Sequence, residues 1–120
     1  MRSFIITSLL FAVMIVSITA NAIYVSRTAD RIKDHVESEE FEKAPETAMT
    51  ALESLWEDNR ILLELSVGYK EIDLISELIL DLKHYVNAGN TEESKRIRIL
   101  ISDATDDISR LERLSIENLL

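Results

Sequence analysis

The chain has 120 residues, of which 47% are hydrophobic and 29% charged, and a formal net charge of −9 at pH 7. This length allows one small domain, and the acidic balance excludes nucleic-acid binding, which needs cations to neutralise phosphates. The absence of cysteine excludes disulfides, thiolate chemistry and cysteine zinc sites. Only two glycines and one proline interrupt a chain rich in Leu, Ile, Glu, Lys and Ala, which predicts an all-α fold.

The N-terminal segment 3–26 has no charged side chain. Its apolar part, Phe4–Tyr24, has the ~20 residues that a helix needs to cross a bilayer, and a helix satisfies its own backbone in lipid. We therefore expect residues 1–26 to anchor the protein in the cell membrane as a single pass, with Phe4–Tyr24 contacting the lipid bilayer. The alternative is a signal peptide cleaved after Ala22, because Ala20-Asn21-Ala22 resembles an A-x-A site. The apolar residues that continue past this site favour the anchor.

Two patterns bear on the orientation of this anchor. Three basic residues, Arg27, Arg31 and Lys33, follow the apolar segment, whereas Arg2 and the α-amine precede it. By the positive-inside bias, this would hold the following domain in the cytoplasm. The short N-terminal tail and the possible export site argue for the other side. We expect domain 27–120 to be extracytoplasmic.

Domain 27–120 carries 12 Lys and Arg against 22 Asp and Glu. The first helix is expected to continue past the membrane to about Ser38, since no breaker interrupts it. An acidic joint follows over residues 37–46, where Pro45 disfavours a helical Ala44. Three further helices are separated by short breaks. They are predicted over about Pro45–Val67, Lys70–Asn87 and Thr91–Leu114, with Gly68, the Asn87-Ala88-Gly89-Asn90 turn and the N-cap Thr91 as boundaries.

Each of these three helices has an apolar stripe at helical spacing. The stripes are Ala48, Leu52, Leu55, Trp56, Leu62, Leu63 and Val67; Ile72, Ile75, Leu78, Ile79, Leu82 and Val86; and Ile97, Leu100, Ile101, Ala104, Ile108, Leu111 and Leu114. Leu74 and Leu80 extend the second stripe around its helix, which indicates a central helix. Apolar-faced helices with short connections form antiparallel bundles. We predict an N-terminal transmembrane helix that continues into a small antiparallel bundle of three to four helices.

Catalytic motifs are absent from the sequence. The two histidines, His35 and His84, lack partners at zinc-ligand spacing. Two isolated glycines cannot form a phosphate-binding loop or a nucleophile elbow. We therefore predict no catalytic residue, no metal, no cofactor and no enzymatic activity.

Two charged clusters each have a functional interpretation and a purely structural one. Asp103, Asp106 and Asp107 suggest a cation site but lack the glycine turn of a calcium loop. We interpret them as a solvated face, with Arg110 placed to pair with Asp106. The basic run Lys95–Arg98 is either a lipid-headgroup contact or, as we prefer, a strip that balances acidic neighbours.

The C-terminal run is unusually apolar. It either packs back on the bundle or docks on a partner, since exposed apolar patches mark interaction sites or aggregation hazards. We predict partner binding through Leu114, Ile116, Leu119 and Leu120, with Trp56 as a second choice. A tryptophan on an apolar stripe is more often a core residue, whereas an exposed one would favour a binding hot spot.

Four features of the sequence together resemble a known family. They are the charge-free N-terminal helix, the acidic joint, Leu-x-x-Leu-Trp at Leu52–Trp56 and Glu-Arg-Leu-Ser-Ile-Glu-Asn-Leu-Leu at Glu112–Leu120. The chain resembles a small single-pass membrane family of low-GC Gram-positive bacteria, a domain of unknown function (family 4363). The terminal run is its most specific part. The resemblance implies a membrane-associated bacterial protein encoded beside multi-pass membrane proteins, and it carries over no reaction, cofactor or catalytic residue.

We expect a membrane-anchored, non-enzymatic accessory or interaction protein that acts through another membrane protein. The alternative is an extracytoplasmic helical-bundle sensor or small-ligand-binding module. That alternative requires an apolar cavity with a few convergent polar groups, for which Asn59, His84 and Tyr85 are the candidates.

Overall fold

The computed structural model describes residues 1–119, including the side chains of all but Ser115, Ile116 and Leu119. The described residues form five helices and no strand, which confirms the predicted all-α class. The helices are α1 (Arg2–Glu37), α2 (Glu40–Lys43), α3 (Pro45–Val67), α4 (Tyr69–Asn87) and α5 (Thr91–Leu119). Since α2 is a single turn, the architecture consists of four long helices.

The four long helices form an antiparallel ring. α1 packs against α5 and α3, and α4 packs against the same two helices from the opposite side. Each long helix therefore has two neighbours and one solvent-facing side. The prediction that α4 is central is wrong, because Leu74 and Leu80 are 51% and 68% exposed. In a ring of four helices the core lies between the helices, and none of them is surrounded.

Proline and glycine mark the boundaries of the helices as predicted. Pro45 occupies the first turn of α3, where its missing N–H has no intrahelical partner to lose. Gly68 separates α3 from α4 with φ +124°, a conformation that residues with a Cβ rarely adopt. Gly89, at φ +70°, lies in the turn between α4 and α5. These short connections force the antiparallel course of α3, α4 and α5.

The acidic joint closes one end of the bundle. Its short helix α2 buries Phe41 against the core. The guanidinium of Arg98 lies 5.1 Å from the centroid of the Phe41 ring and donates a 3.0 Å hydrogen bond to the carbonyl of Val36. Nε2 of His35 lies 2.8 Å from the carbonyl oxygen of Ala48. The joint is therefore a packed cap that fastens the end of α1 to α3 and α5.

The core draws on all four long helices and on α2. Its buried apolar residues are Val25, Ala29, Ile32, Val36, Phe41, Ala48, Met49, Leu52, Trp56, Leu63, Ile72, Ile75, Ile79, Leu82, Val86, Ile97, Ile101 and Ile108. The predicted stripes supply most of these positions. Four stripe residues are instead exposed, namely Leu62, Leu100, Leu111 and Leu114, and four more are half-buried, namely Leu55, Val67, Leu78 and Ala104. Leu63 takes the core-facing position beside Leu62, and Ile101 takes the one beside Leu100.

α1 has two parts that differ in their surroundings. From Ala22 to Val36 it contributes a buried face to the bundle, whereas residues 1–14 are exposed and extend out of it. The molecule is consequently a rod, with extents of 67 × 23 × 23 Å. The first helix is thus the fourth helix of the bundle as well as the link to the apolar segment.

Candidate functional site

Residues 4–14 of the apolar segment of α1 are uncovered by the rest of the chain. The most apolar 18-residue stretch of α1 contains no buried residue. Among the described residues, α1 is the one helix long and apolar enough to cross a membrane. Large exposed side chains such as Phe4, Leu10 and Phe11 line it on all sides. The segment can therefore insert into a membrane as an anchor or a signal sequence.

Two hydrogen bonds set the level at which α3 meets α1. The hydroxyl of Ser66 donates to Oδ1 of Asn21 at 2.8 Å. The hydroxyl of Tyr24 donates to Oδ1 of Asn59 at 2.6 Å. The end of α3, from Asn59 to Val67, therefore lies beside the point where the apolar segment ends.

Three contacts set the level of α5 in the same way. The hydroxyl of Ser109 on α5 lies 3.1 Å from the hydroxyl of Ser26 on α1. Lys33 donates to both carboxylate oxygens of Asp106 at 2.8 Å, and the hydroxyl of Ser102 donates to Glu37 at 2.7 Å. As the two helices are antiparallel, residues 110–119 run alongside the part of α1 that precedes Ser26.

The C-terminal end of α5, residues 110–119, reaches beyond its other neighbour. α5 has 29 residues against the 19 of α4, and the two helices leave the same short turn. About ten residues of α5, or ~15 Å at 1.5 Å per residue, therefore lie past the start of α4. Before Ala22, the half-buried residues of the apolar segment are Ile15 and Thr19, on the same face of α1 as Ala22.

The structure separates the predicted partner-binding residues into two places. Leu114 lies on the C-terminal end of α5 and is 48% exposed, as is Leu111. Ile116, Leu119 and Leu120 lie outside the described side chains. Trp56 is 3% exposed, and its Nε1 donates to the hydroxyl of Ser76 at 2.9 Å. Trp56 is thus a core residue between α3 and α4, and its contact with a partner stays a prediction.

Sequence reasoning missed a second exposed apolar surface at the same end of the bundle. The α3–α4 corner consists of Ile61, Leu62, Leu65 and Tyr69, which are 63%, 54%, 80% and 66% exposed. A signal was present in the sequence, since Ile61 and Leu65 are apolar residues outside the α3 stripe. The spacing of Leu62 fits that stripe, so periodicity alone conceals the cluster.

The acidic residues of α5 form ion pairs with neighbouring cations. Asp106 pairs with Lys33, and this hydrogen bond raises the pKa of the Lys33 ammonium above its ordinary value. The expected partner of Arg110 is wrong, because Arg110 pairs with Asp107 at 2.6 Å. Lys33 already occupies the Asp106 carboxylate, which leaves Asp107 for Arg110. Among the described residues, no group of three His, Asp or Glu side chains could hold a metal ion.

The basic run on α5 has two roles. Arg96 pairs with Glu93 at 2.7 Å and Lys95 approaches Glu42 at 3.9 Å, as expected of a strip that balances acidic neighbours. Arg98 departs from this interpretation because it is half-buried and holds the Val36 carbonyl at the end of α1. The run therefore offers fewer free cations to a lipid headgroup than its sequence suggests.

The polar residues considered for a ligand cavity do not converge. Asn59 uses its side-chain oxygen for Tyr24 and its nitrogen for the Leu55 carbonyl. His84 is exposed and makes an edge contact with Tyr85, with 5.6 Å between ring centroids. Trp56 contributes to the lining of a surface groove of about 310 Å³ between α3 and α4, but charged side chains such as Glu53 and Lys83 line most of it.

The fold and the apolar segment of α1 define the class of protein: an all-α four-helix bundle with one candidate N-terminal membrane span among the described residues. Its family is also shown. The chain belongs to the family described as Domain of unknown function (DUF4363), whose model matches residues 12–119. This confirms the resemblance found in the sequence. No curated protein and no solved structure matches the chain.

Proposed function

We propose that this protein is a membrane-anchored, non-enzymatic accessory protein that acts by binding another membrane protein. One observation carries the proposal. The C-terminal end of α5 lies alongside the apolar segment of α1 and leaves Leu111 and Leu114 exposed there. A neighbouring membrane protein would meet these side chains where it passes the anchor.

The bundle supports this assignment in two ways. Its interior is packed with aliphatic residues from every long helix, so the scaffold presents its ends and faces rigidly. Confinement to a membrane also raises the local concentration of a partner, which lets a contact of a few side chains be sufficient. We further propose that domain 27–120 lies outside the cytoplasm, as the export-like sequence Ala20-Asn21-Ala22 favours.

The non-enzymatic assignment is supported by the contacts of the polar groups that might carry chemistry. Asp106 and Asp107 are held by Lys33 and Arg110. The ring of His35 binds a backbone carbonyl in the packed cap. A catalytic side chain must be able to contact a substrate. These side chains instead make ion pairs and hydrogen bonds within the folded chain. The alternative of a ligand-binding module lacks a favouring observation in the described residues, since Asn59, His84 and Tyr85 surround no common cavity.

The test is recovery of the tagged protein from native membranes in mild detergent. We expect one integral membrane protein to be recovered in near-stoichiometric amount with the wild type and to be lost with Leu111→Ser/Leu114→Ser. Ile99→Ser is the matched control, because Ile99 is 61% exposed on the same helix near its opposite end. Loss of the partner with Ile99→Ser as well, or its retention in the double variant, would contradict the proposed site.

A further inference from the structure

We propose that the α3–α4 corner docks into the headgroup region of the lipid bilayer beside the anchor, so that the bundle rests on the membrane surface. The inference rests on the proposed function in one respect, that α1 is the membrane anchor. It adds a second membrane contact, made by Ile61, Leu62, Leu65 and Tyr69. This surface is distinct from the C-terminal end of α5, since α3 and α5 lie at opposite positions of the helix ring.

The level of the corner relative to the anchor is set by hydrogen bonds. Leu65 directly precedes Ser66, which binds Asn21 at 2.8 Å, and Leu62 lies one turn from it. Asn21 belongs to the last turn of the apolar segment Phe4–Tyr24. A bilayer spanned by that segment therefore has its headgroup region at the height of the corner, since the two helices are antiparallel neighbours.

The chemistry of the corner suits that region. Its three aliphatic side chains and Tyr69 are more than half exposed, and apolar faces of this kind bury ~5–10 Å into the headgroup and acyl boundary. Tyrosine is enriched at the membrane interface because its ring is apolar and its hydroxyl is polar. The membrane interface can remove these side chains from water without a change in the fold.

The local charge permits contact with lipid. Residues 60–70 contain two basic residues and one acidic residue, whereas the whole chain has a net charge of −9. Anionic headgroups repel an acidic surface and attract a basic one. Since Arg60 pairs with Glu57 at 3.6 Å, the corner is an apolar patch with little net charge on an acidic molecule. It lies on the end of the bundle from which the anchor extends.

Single spin-labelled cysteines test the docking, because the chain has no cysteine of its own. The variants Leu65→Cys, Leu80→Cys and Leu10→Cys are labelled in the full chain, and each is reconstituted into vesicles of phosphatidylethanolamine and phosphatidylglycerol. Leu80 is the matched control, being a leucine of similar exposure on α4, 11 residues or ~16 Å from the corner. The collision rates of each label with oxygen, which enters lipid, and with a water-soluble nickel complex are compared.

We expect oxygen collisions to dominate at positions 10 and 65 and nickel collisions to dominate at position 80. Dominant nickel collisions at 65, with oxygen dominant at 10, would overturn the docking and leave the anchor intact. Dominant nickel collisions at position 10 would overturn the anchor and with it the proposed function. Low collision rates with both reagents at position 65 would place a second copy or a partner there instead of lipid. Equal oxygen access at positions 65 and 80 would also overturn the inference, since the whole bundle would then be immersed.

Discussion

The hydroxyl of Tyr24 donates a 2.6 Å hydrogen bond to Oδ1 of Asn59, joining residues 35 apart in the sequence. This bond ties α1 to α3 at the point where the apolar segment ends. Asn59 is held in place by a second hydrogen bond, from its side-chain nitrogen to the Leu55 carbonyl. Together with the bond from Ser66 to Asn21, this pair sets the level of α3 relative to the anchor.

Removal of the Tyr24 hydroxyl should destabilise the bundle. Tyr24→Phe leaves the Asn59 oxygen without its partner in a half-buried contact, and we expect a loss of about 0.5–1.5 kcal/mol in the free energy of unfolding. The measurement is denaturant unfolding in mild detergent, followed by circular dichroism. Tyr69→Phe is the matched control, because Tyr69 is 66% exposed. Equal stability of the two variants would show that the Tyr24 bond contributes nothing.

Two leucines of α4 should respond oppositely to truncation. Leu82 is fully buried in the core and Leu80 is 68% exposed. Leu82→Ala removes buried contacts and leaves a cavity, so we expect a loss of about 2–5 kcal/mol. Leu80→Ala should change stability by no more than about 0.5 kcal/mol. The same unfolding measurement decides this, and a large loss in Leu80→Ala would contradict the ring arrangement of the helices.

Neutralisation of Glu112 should stabilise the folded chain at neutral pH. Burial raises the pKa of Glu112 above its ordinary value of 4.5, so the folded state binds a proton more tightly than the unfolded state. The stability linked to this proton is complete below pH 4.5 and is lost as the pH rises through the raised pKa.

Glu112→Gln should therefore raise the Tm at neutral pH and have little effect below pH 4.5. Thermal unfolding at both pH values measures the difference. Glu117→Gln serves as the control, since Glu117 is exposed on the same end of α5. A Tm gain in Glu112→Gln that is the same at both pH values would not come from the ionisation of Glu112.

The N-terminal segment should be retained in the mature protein. The possible cleavage site at Ala20-Asn21-Ala22 lies inside α1, Ala22 is buried, and Asn21 is bonded to Ser66. A protease that acts on the folded chain would have to open both the helix and its contact with α3. Mass spectrometry of the protein from native membranes should show an N terminus before Ala20. An N terminus at Ile23 would establish the signal-peptide alternative.

The bundle should be accessible from outside the cell. In intact cells without an outer barrier, we expect a membrane-impermeant maleimide to label Leu80→Cys, which is exposed on α4. Leu10→Cys, inside the apolar segment, should stay unlabelled. Labelling of Leu80→Cys only after lysis would place the bundle in the cytoplasm, the side favoured by Arg27, Arg31 and Lys33.

Several features of this protein follow from the amino-acid sequence alone. The apolar spacing of Ile72, Ile75, Ile79, Leu82 and Val86 requires a helix with one core face, and α4 buries these residues. Pro45 and Gly68 mark the limits of α3 because their backbone restrictions are local. The apolar length of Phe4–Tyr24 likewise predicts a membrane segment without reference to any other part of the chain.

Only the tertiary structure decided which apolar residues remain exposed. Leu62 and Leu63 are the same residue type and adjacent in α3, but Leu63 is buried in the core whereas Leu62 is 54% exposed. Leu114 belongs to a regular stripe, yet it is exposed because α4 begins too late to cover it. Periodicity assigns each side chain to a face of its own helix, whereas burial depends on where the neighbouring helices lie and end.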